Sequence, residues 1–311
     1  MLRSAAALVL LAAPAAAEIP MTDALGSEVT LPEPPERVVA LYNDAYGHMA
    51  TLGVRPVATL VNPEMQRDEA YYFEDGESIP LVGAMDGAPD PELVASHDPD
   101  LILAWNAEEA AQFEGIAPVL ALEPFDGVEG PKEALREIAR VLGQEEEAEA
   151  RIAAFEDRIA AYAARVPERP TVLKLSGRGG GEFSFGTMSD PVCALLDEVV
   201  TCEWENAPGQ DWGYQGTMEQ ALALDPEVIV LNNWTEAGAE AFLAEVEANP
   251  LWGELQAVKA GRVVFLPEYS NPIYSSVAAG EKALDTLIPA IFPETFPDGP
   301  LSEAEVAAAA R

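Results

Sequence analysis

The chain has 311 residues, enough for one large domain or two ordinary ones, and its 49% hydrophobic and 23% charged residues mark a globular composition. Its 17 Lys and Arg stand against 54 Asp and Glu, a formal charge of −37. So negative a surface repels phosphate backbones and anionic headgroups, which argues against nucleic acid and acidic membranes as partners. Residues 1–17, MLRSAAALVLLAAPAAA, carry a positive charge at Arg3, an apolar run, and small residues at Ala15 and Ala17. That is the pattern of a secretory signal cut before Glu18. The apolar run is too short to span a bilayer, no Cys follows the cut to carry a lipid, and no later stretch is long and apolar enough to cross a membrane. The mature chain is therefore expected to be soluble, periplasmic and not lipid-anchored.

Beyond Glu18 short apolar runs alternate with helical segments, which predicts an α/β fold. Strands are expected at 38–41, 56–60, 79–82, 101–104 and 118–122, with short helices at 45–52 and 91–97. From 131 to 166 the spacing of Leu135, Ile138, Val141, Leu142, Ala148, Ile152, Phe155, Ile159 and Tyr162 is helical, with Gly143 dividing the stretch. The second part, 144–166, has no breaker, and at about 1.5 Å per residue spans roughly 34 Å, a domain diameter. Strands then resume at 171–175, 228–231 and 262–266, helices at 190–200, 217–224, 237–247 and 275–291, and a partly ordered tail follows Pro293.

The two halves share a unit. Glu92-Leu-Val-Ala-Ser-His-Asp98-Pro-Asp-Leu-Ile-Leu aligns without a gap on Glu219-Gln-Ala-Leu-Ala-Leu-Asp225-Pro-Glu-Val-Ile-Val. In both, a capping residue (Asp90, Thr217) precedes the Glu by two, and Asp-Pro ends the helix before a strand. Two similar α/β lobes, 18–143 and 167–292, joined by a single backbone helix at 144–166 imply a cleft between them, where small ligands bind.

Chemistry-bearing motifs are scarce. Gly177-Arg-Gly-Gly-Gly181 follows a strand but fits no phosphate-binding pattern, and reads as a flexible cleft loop. The chain's two His, 48 and 97, and two Cys, 193 and 202, form none of the usual metal spacings, and no nucleophile motif accompanies them. No catalytic residue, metal site or cofactor is expected, and an exported α/β enzyme is the weaker alternative. A disulfide between Cys193 and Cys202 suits an oxidising compartment, yet a straight helix would hold them about 13 Å apart, so the bond requires the chain to fold back. Large aromatics mark the ends of strands: Tyr42, Trp105, Trp234 and Tyr269, with Trp212 and Tyr214 ahead of the Thr217 cap. Ligand clefts of open α/β sheets lie at the carboxyl ends of strands.

The segment 23–41, Leu52-Gly-Val-Arg-Pro-Val57, the two Glu-to-Asp-Pro units and Asn249-Pro-Leu-Trp-Gly-Glu-Leu-Gln-Ala-Val-Lys-Ala-Gly-Arg-Val263 resemble the periplasmic binding proteins that feed ABC importers of ferric siderophores, haem and cobalamin. The resemblance covers nearly the whole mature chain. It implies a bilobed monomer that binds an iron chelate between its lobes and delivers it to permease subunits with their ATPase. Arg67 and Arg178 are the cleft candidates for contacting an anionic ligand, few for a carboxylate siderophore. Cobalamin is an alternative ligand, and haem another, for which Tyr42, His48, Tyr71 and Tyr269 are axial candidates. The resemblance also implies that Glu92 and Glu219 dock onto permease arginines.

Overall fold

Alternation along each strand divides the apolar residues between two faces, and one face of each main sheet enters the same core. The computed structural model describes residues 18–22, 26–60, 73, 78–83, 88–121, 130–179, 182–186, 191–202, 214–232, 236–266 and 276–310. The first elements are an antiparallel hairpin, β1 (Ile19–Thr22) and β2 (Glu28–Leu31), absent from the sequence-based expectation. In the first lobe β3 (Val38–Ala40), β4 (Ala58–Thr59), β5 (Leu101–Ala104) and β6 (Val119–Ala121) form a parallel sheet in the order β4-β3-β5-β6. Helices α1 (Asn43–Thr51), α2 (Pro91–Ser96) and α3 (Ala107–Ala110) lie in its connections. The expected strand at 79–82 is reduced to a single bridge between Leu81 and Thr59.

Two helices follow, α4 (Gly130–Leu142) and α5 (Glu145–Ala163). Gly143 separates them with φ +66, a left-handed conformation that costs glycine little. In the second lobe β7 (Val172–Gly179), β8 (Glu182–Phe185), β9 (Tyr214–Gly216), β10 (Val228–Asn232) and β11 (Val263–Leu266) build a sheet in the order β11-β10-β7-β8-β9. β7, β10 and β11 are parallel, and β8 and β9 extend the sheet antiparallel, a feature missed from sequence. Its helices are α6 (Pro191–Leu196), α7 (Met218–Leu224), α8 (Glu236–Ala248), α9 (Gln256–Lys259) and α10 (Val277–Ile291). The expected helix 190–200 stops at Leu196, and the turn after it brings Cys202 back to Cys193, Cα to Cα 5.8 Å, with the sulfurs bonded.

Val38, Ala40, Leu101 and Leu103 of the first lobe share a core with Val172, Val228, Val230 and Val264 of the second, together with the buried faces of α4, α5 and α10. The intervening residues face outward into separate layers: Val39, Ile102 and Ala104 against Val94 and Phe113, and Leu173, Leu175, Ile229 and Leu231 against Phe242 and Trp252. A hydrogen bond from Ala278 N to Thr51 Oγ1, 3.2 Å, ties α10 directly to α1. The repeated units also coincide in backbone detail. Among the described residues, Asp98 and Asp225 are the two non-glycine residues with positive φ, +48 and +44. Each turns the chain left-handed before its proline, the conformation Asp tolerates better than most side chains.

The C-terminal segment is not the partly ordered tail expected from sequence. Helix α11 (Glu303–Ala309) returns to α5 through buried polar contacts. Arg158 Nη1 donates to Asp285 Oδ1 and to the carbonyl of Leu301, each at 3.0 Å, while Nη2 meets Glu303. The Tyr162 hydroxyl donates to Asp285 Oδ1 at 2.7 Å and accepts from Leu301 N at 3.1 Å. Removing the guanidinium strands a partly buried carboxylate and a carbonyl, so Arg158→Met should cost about 3 kcal/mol. A denaturant midpoint unchanged from wild type would contradict this.

On α1, His48 is 1% exposed and its Nδ1 has no hydrogen-bond partner among the described residues. Burial lowers its pKa to about 3, so the folded protein holds a neutral imidazole. The unfolded chain takes up a proton below about pH 6.5, so the neutral His48 favours folding above that pH and this contribution is lost as pH falls towards 3. Burial raises the Glu281 and Asp285 carboxyls, which act in the opposite sense. The informative quantity is therefore a difference: His48→Met should remove about 2 kcal/mol of the acid destabilisation between pH 7 and pH 5, followed by denaturant melts at both values.

Candidate ligand-binding site

Because β3 and β5 are paired in parallel, Ala40 beside Leu103, the residues leaving their carboxyl ends emerge together. Leu41 N donates to Leu103 O at 2.9 Å, continuing the ladder one step beyond β3. The next residues outward bring the Tyr42 and Trp105 rings to a centroid separation of 5.6 Å, edge to face at 88°. Tyr42 is half-buried and sits in extended backbone at the start of α1. Trp105 is 38% exposed, and apart from Leu93 it is the one exposed large hydrophobic among the described residues. An open indole packed against a tyrosine at strand ends offers a stacking surface.

The chain beneath Trp105 holds it in place. Asn106 Oδ1 accepts from Glu109 N at 2.9 Å and caps α3, and Glu109 Oε2 reaches back to accept the Trp105 N–H at 2.7 Å. Burial raises the Glu109 carboxyl above its ordinary range, while the Trp105 N–H opposes that shift. Burial, followed by the charges of Asp44 and Glu109, raises the Tyr42 phenol well above its ordinary value, so it is a neutral donor at neutral pH. Sequence reasoning missed Glu109: among 54 acidic residues it carries no signal until the helix cap places it.

The other expected wall residues are not brought to this pair by the described structure. Arg178 belongs to β7 and Tyr214 opens β9, with side chains outside the description; Arg67, Tyr71, Trp212, Trp234 and Tyr269 lie outside the described residues altogether. His48 is packed in the core rather than presented to a cleft, which removes it as a haem ligand candidate. His97 is the half-buried end of α2, its carbonyl taking a hydrogen bond from Arg37 at 2.5 Å. The glycine-rich segment expected to be a flexible cleft loop begins instead as strand: Gly177 pairs with Phe183, and a Cβ there would fall 2.6 Å from the Phe242 ring. Among the described residues no group of three or more His, Cys, Asp or Glu is placed to hold a metal ion, and no helix is long and apolar enough to cross a membrane.

Glu92 and Glu219 both occupy the second position of their helices and are exposed. Asp90 Oδ1 caps α2 by accepting from Glu92 N at 2.8 Å. In α7, Thr217 and Gln220 form a reciprocal capping box, with Thr217 N donating to Gln220 Oε1 at 2.8 Å.

Comparison with known proteins agrees with this architecture. The chain is 27% identical over 246 residues to the iron(3+)-hydroxamate-binding protein FhuD of Bacillus subtilis, covering 76% of this chain and 75% of FhuD. It is 24% identical over 269 residues to the Fe(3+) dicitrate-binding periplasmic protein FecB of Escherichia coli, covering 83% and 86%. The crystal structure of Staphylococcus aureus SirA complexed with staphyloferrin B superposes with a TM-score of 0.69 at 22% identity, covering 88% of this chain and 98% of SirA. The periplasmic binding protein family matches residues 38–270, most of the chain. The chain belongs to the periplasmic binding protein family, a family of binding proteins and not of enzymes.

Proposed function

We propose that this protein captures a ferric siderophore in a cleft between its two lobes and delivers it to an ABC importer. The observation that carries the reading is the Tyr42–Trp105 pair at the carboxyl ends of neighbouring parallel strands, an open aromatic surface in a binding-protein fold. The names of FhuD and FecB, both referring to iron(III) complexes, favour an iron chelate over cobalamin or haem as ligand. In this reading Arg178, Trp212, Tyr214, Trp234 and Tyr269 supply the wall facing that pair. The mature protein, freed of residues 1–17, acts as a periplasmic monomer. Titration with ferric hydroxamate, ferric catecholate, ferric dicitrate, cobalamin and haemin, followed by quenching of tryptophan fluorescence, tests the reading. One ferric chelate should saturate the signal, and Trp105→Ala should weaken it about tenfold, the value of one lost stacking contact. Saturation by cobalamin or haemin alone would refute it.

Glu92 and Glu219 are proposed to dock onto arginines of the two permease subunits. In a chain of 54 acidic residues general negativity gives no register, whereas two exposed carboxylates repeated at matched positions do. Glu92→Ala and Glu219→Ala should each leave ligand affinity unchanged and lower uptake by the reconstituted importer, with the double variant lowest. Loss of ligand binding with intact docking would place these residues on the wrong face.

A further inference from the structure

Glu109 combines features that the capture of a ferric siderophore does not by itself require. It is half-buried, yet among the described residues its carboxylate meets no Lys, Arg or His, and its one partner is the Trp105 N–H. Among the described residues the charges acting on the Tyr42 phenol are both negative: Asp44 is buried, and together with Glu109 it opposes ionisation of the phenol. A partly desolvated carboxylate with no cation beside it among the described residues is costly, and a cation arriving with the ligand would offset that cost. An anionic chelate would add repulsion in the same place, against a chain already at −37. The position is also suited to selection. The carboxylate is held 2.7 Å from the backbone N–H of Trp105, the residue whose indole is exposed, by the Asn106 cap, and its charge is felt by the Tyr42 phenol packed against that indole.

We propose that Glu109 is the residue that sets the charge class of the ligand, directing the site to ferric chelates that carry a protonated amine and away from carboxylate chelates. This inference rests on the reading of the protein as a siderophore-binding protein. Its test compares three probes on the purified full chain: a linear ferric trihydroxamate with one terminal ammonium, the same chelate acetylated on that amine, and ferric dicitrate. Wild type should bind the ammonium form five- to tenfold more tightly than the acetylated form, roughly the strength of a partly exposed ion pair, and ferric dicitrate most weakly. Glu109→Gln keeps an oxygen for the Trp105 N–H and removes the charge. It should bring the ratio of the two hydroxamates close to one by weakening the ammonium form far more than the acetylated form. Equal affinities in wild type, or a preference that survives in Glu109→Gln, would overturn the inference. So would tighter binding of ferric dicitrate than of either hydroxamate, which would leave the iron-chelate reading intact. Failure of every ferric chelate to bind would overturn that reading and the inference with it.

Discussion

The interaction on which the rest of the molecule depends is the burial of one face of each main sheet in a single apolar core. A bilobed protein whose halves had independent cores could place its strand ends anywhere relative to one another. Here Val38 and Leu101 of one sheet and Val172 and Val228 of the other belong to the same cluster, filled from between by Leu135, Ile138, Ile152, Phe155 and Leu284. Moving one sheet against the other would expose that interior, at about 25 cal/mol for each Å² of apolar surface uncovered. The link from Ala278 N to Thr51 Oγ1 adds a polar tie between α10 and α1, the helix that starts at Tyr42. The aromatic pair therefore stands on a foundation shared by both lobes rather than on a mobile loop.

The sequence was most readable where one physical rule dominates. The strands β3, β5, β6, β10 and β11 are short apolar runs between helices, and each lies within two residues of its expected bounds. Gly143 divides the helical stretch as anticipated, and the Asp-Pro units were legible as repeats because proline and a helix cap leave a fixed spacing. Other features depend on partners far along the chain. The hairpin β1–β2 buries Met21 and Leu31 and packs Ile19 and Val29 half-buried against the core, two apolar positions in each four-residue strand, too short a run to make a strand pattern. In β8, Phe183 and Phe185 do alternate with polar residues, but the adjoining glycines suggested a loop, because the Phe242 ring that needs Gly177 bare is distant in sequence.

At the site the same division holds. That Tyr42 and Trp105 stand at neighbouring strand ends was legible, because it requires only strand bounds. The placing of Glu109 was not, because it depends on a back-bond to Trp105 N and on having no cation partner among the described residues. Both are properties of geometry rather than composition. The tail was misread for a related reason: Glu303 and Glu305 look like solvated acids until Arg158 of α5 and Arg165, just past its end, are set opposite them.

That closing contact orders events in the life of the chain. Arg158 is 8% exposed in the finished fold, and two of its partners, the Leu301 carbonyl and Glu303, lie 143 and 145 residues further along the chain. A growing chain that has already formed α5 lacks them, so the guanidinium has reason to stay in water and the surrounding core to stay loose. The segment around Leu301 and Glu303 thus acts as a latch that engages only after it has been made. A chain truncated before Leu301 would be left with an incomplete seat for a buried charge, and would be open to proteolysis before it could compete for ligand.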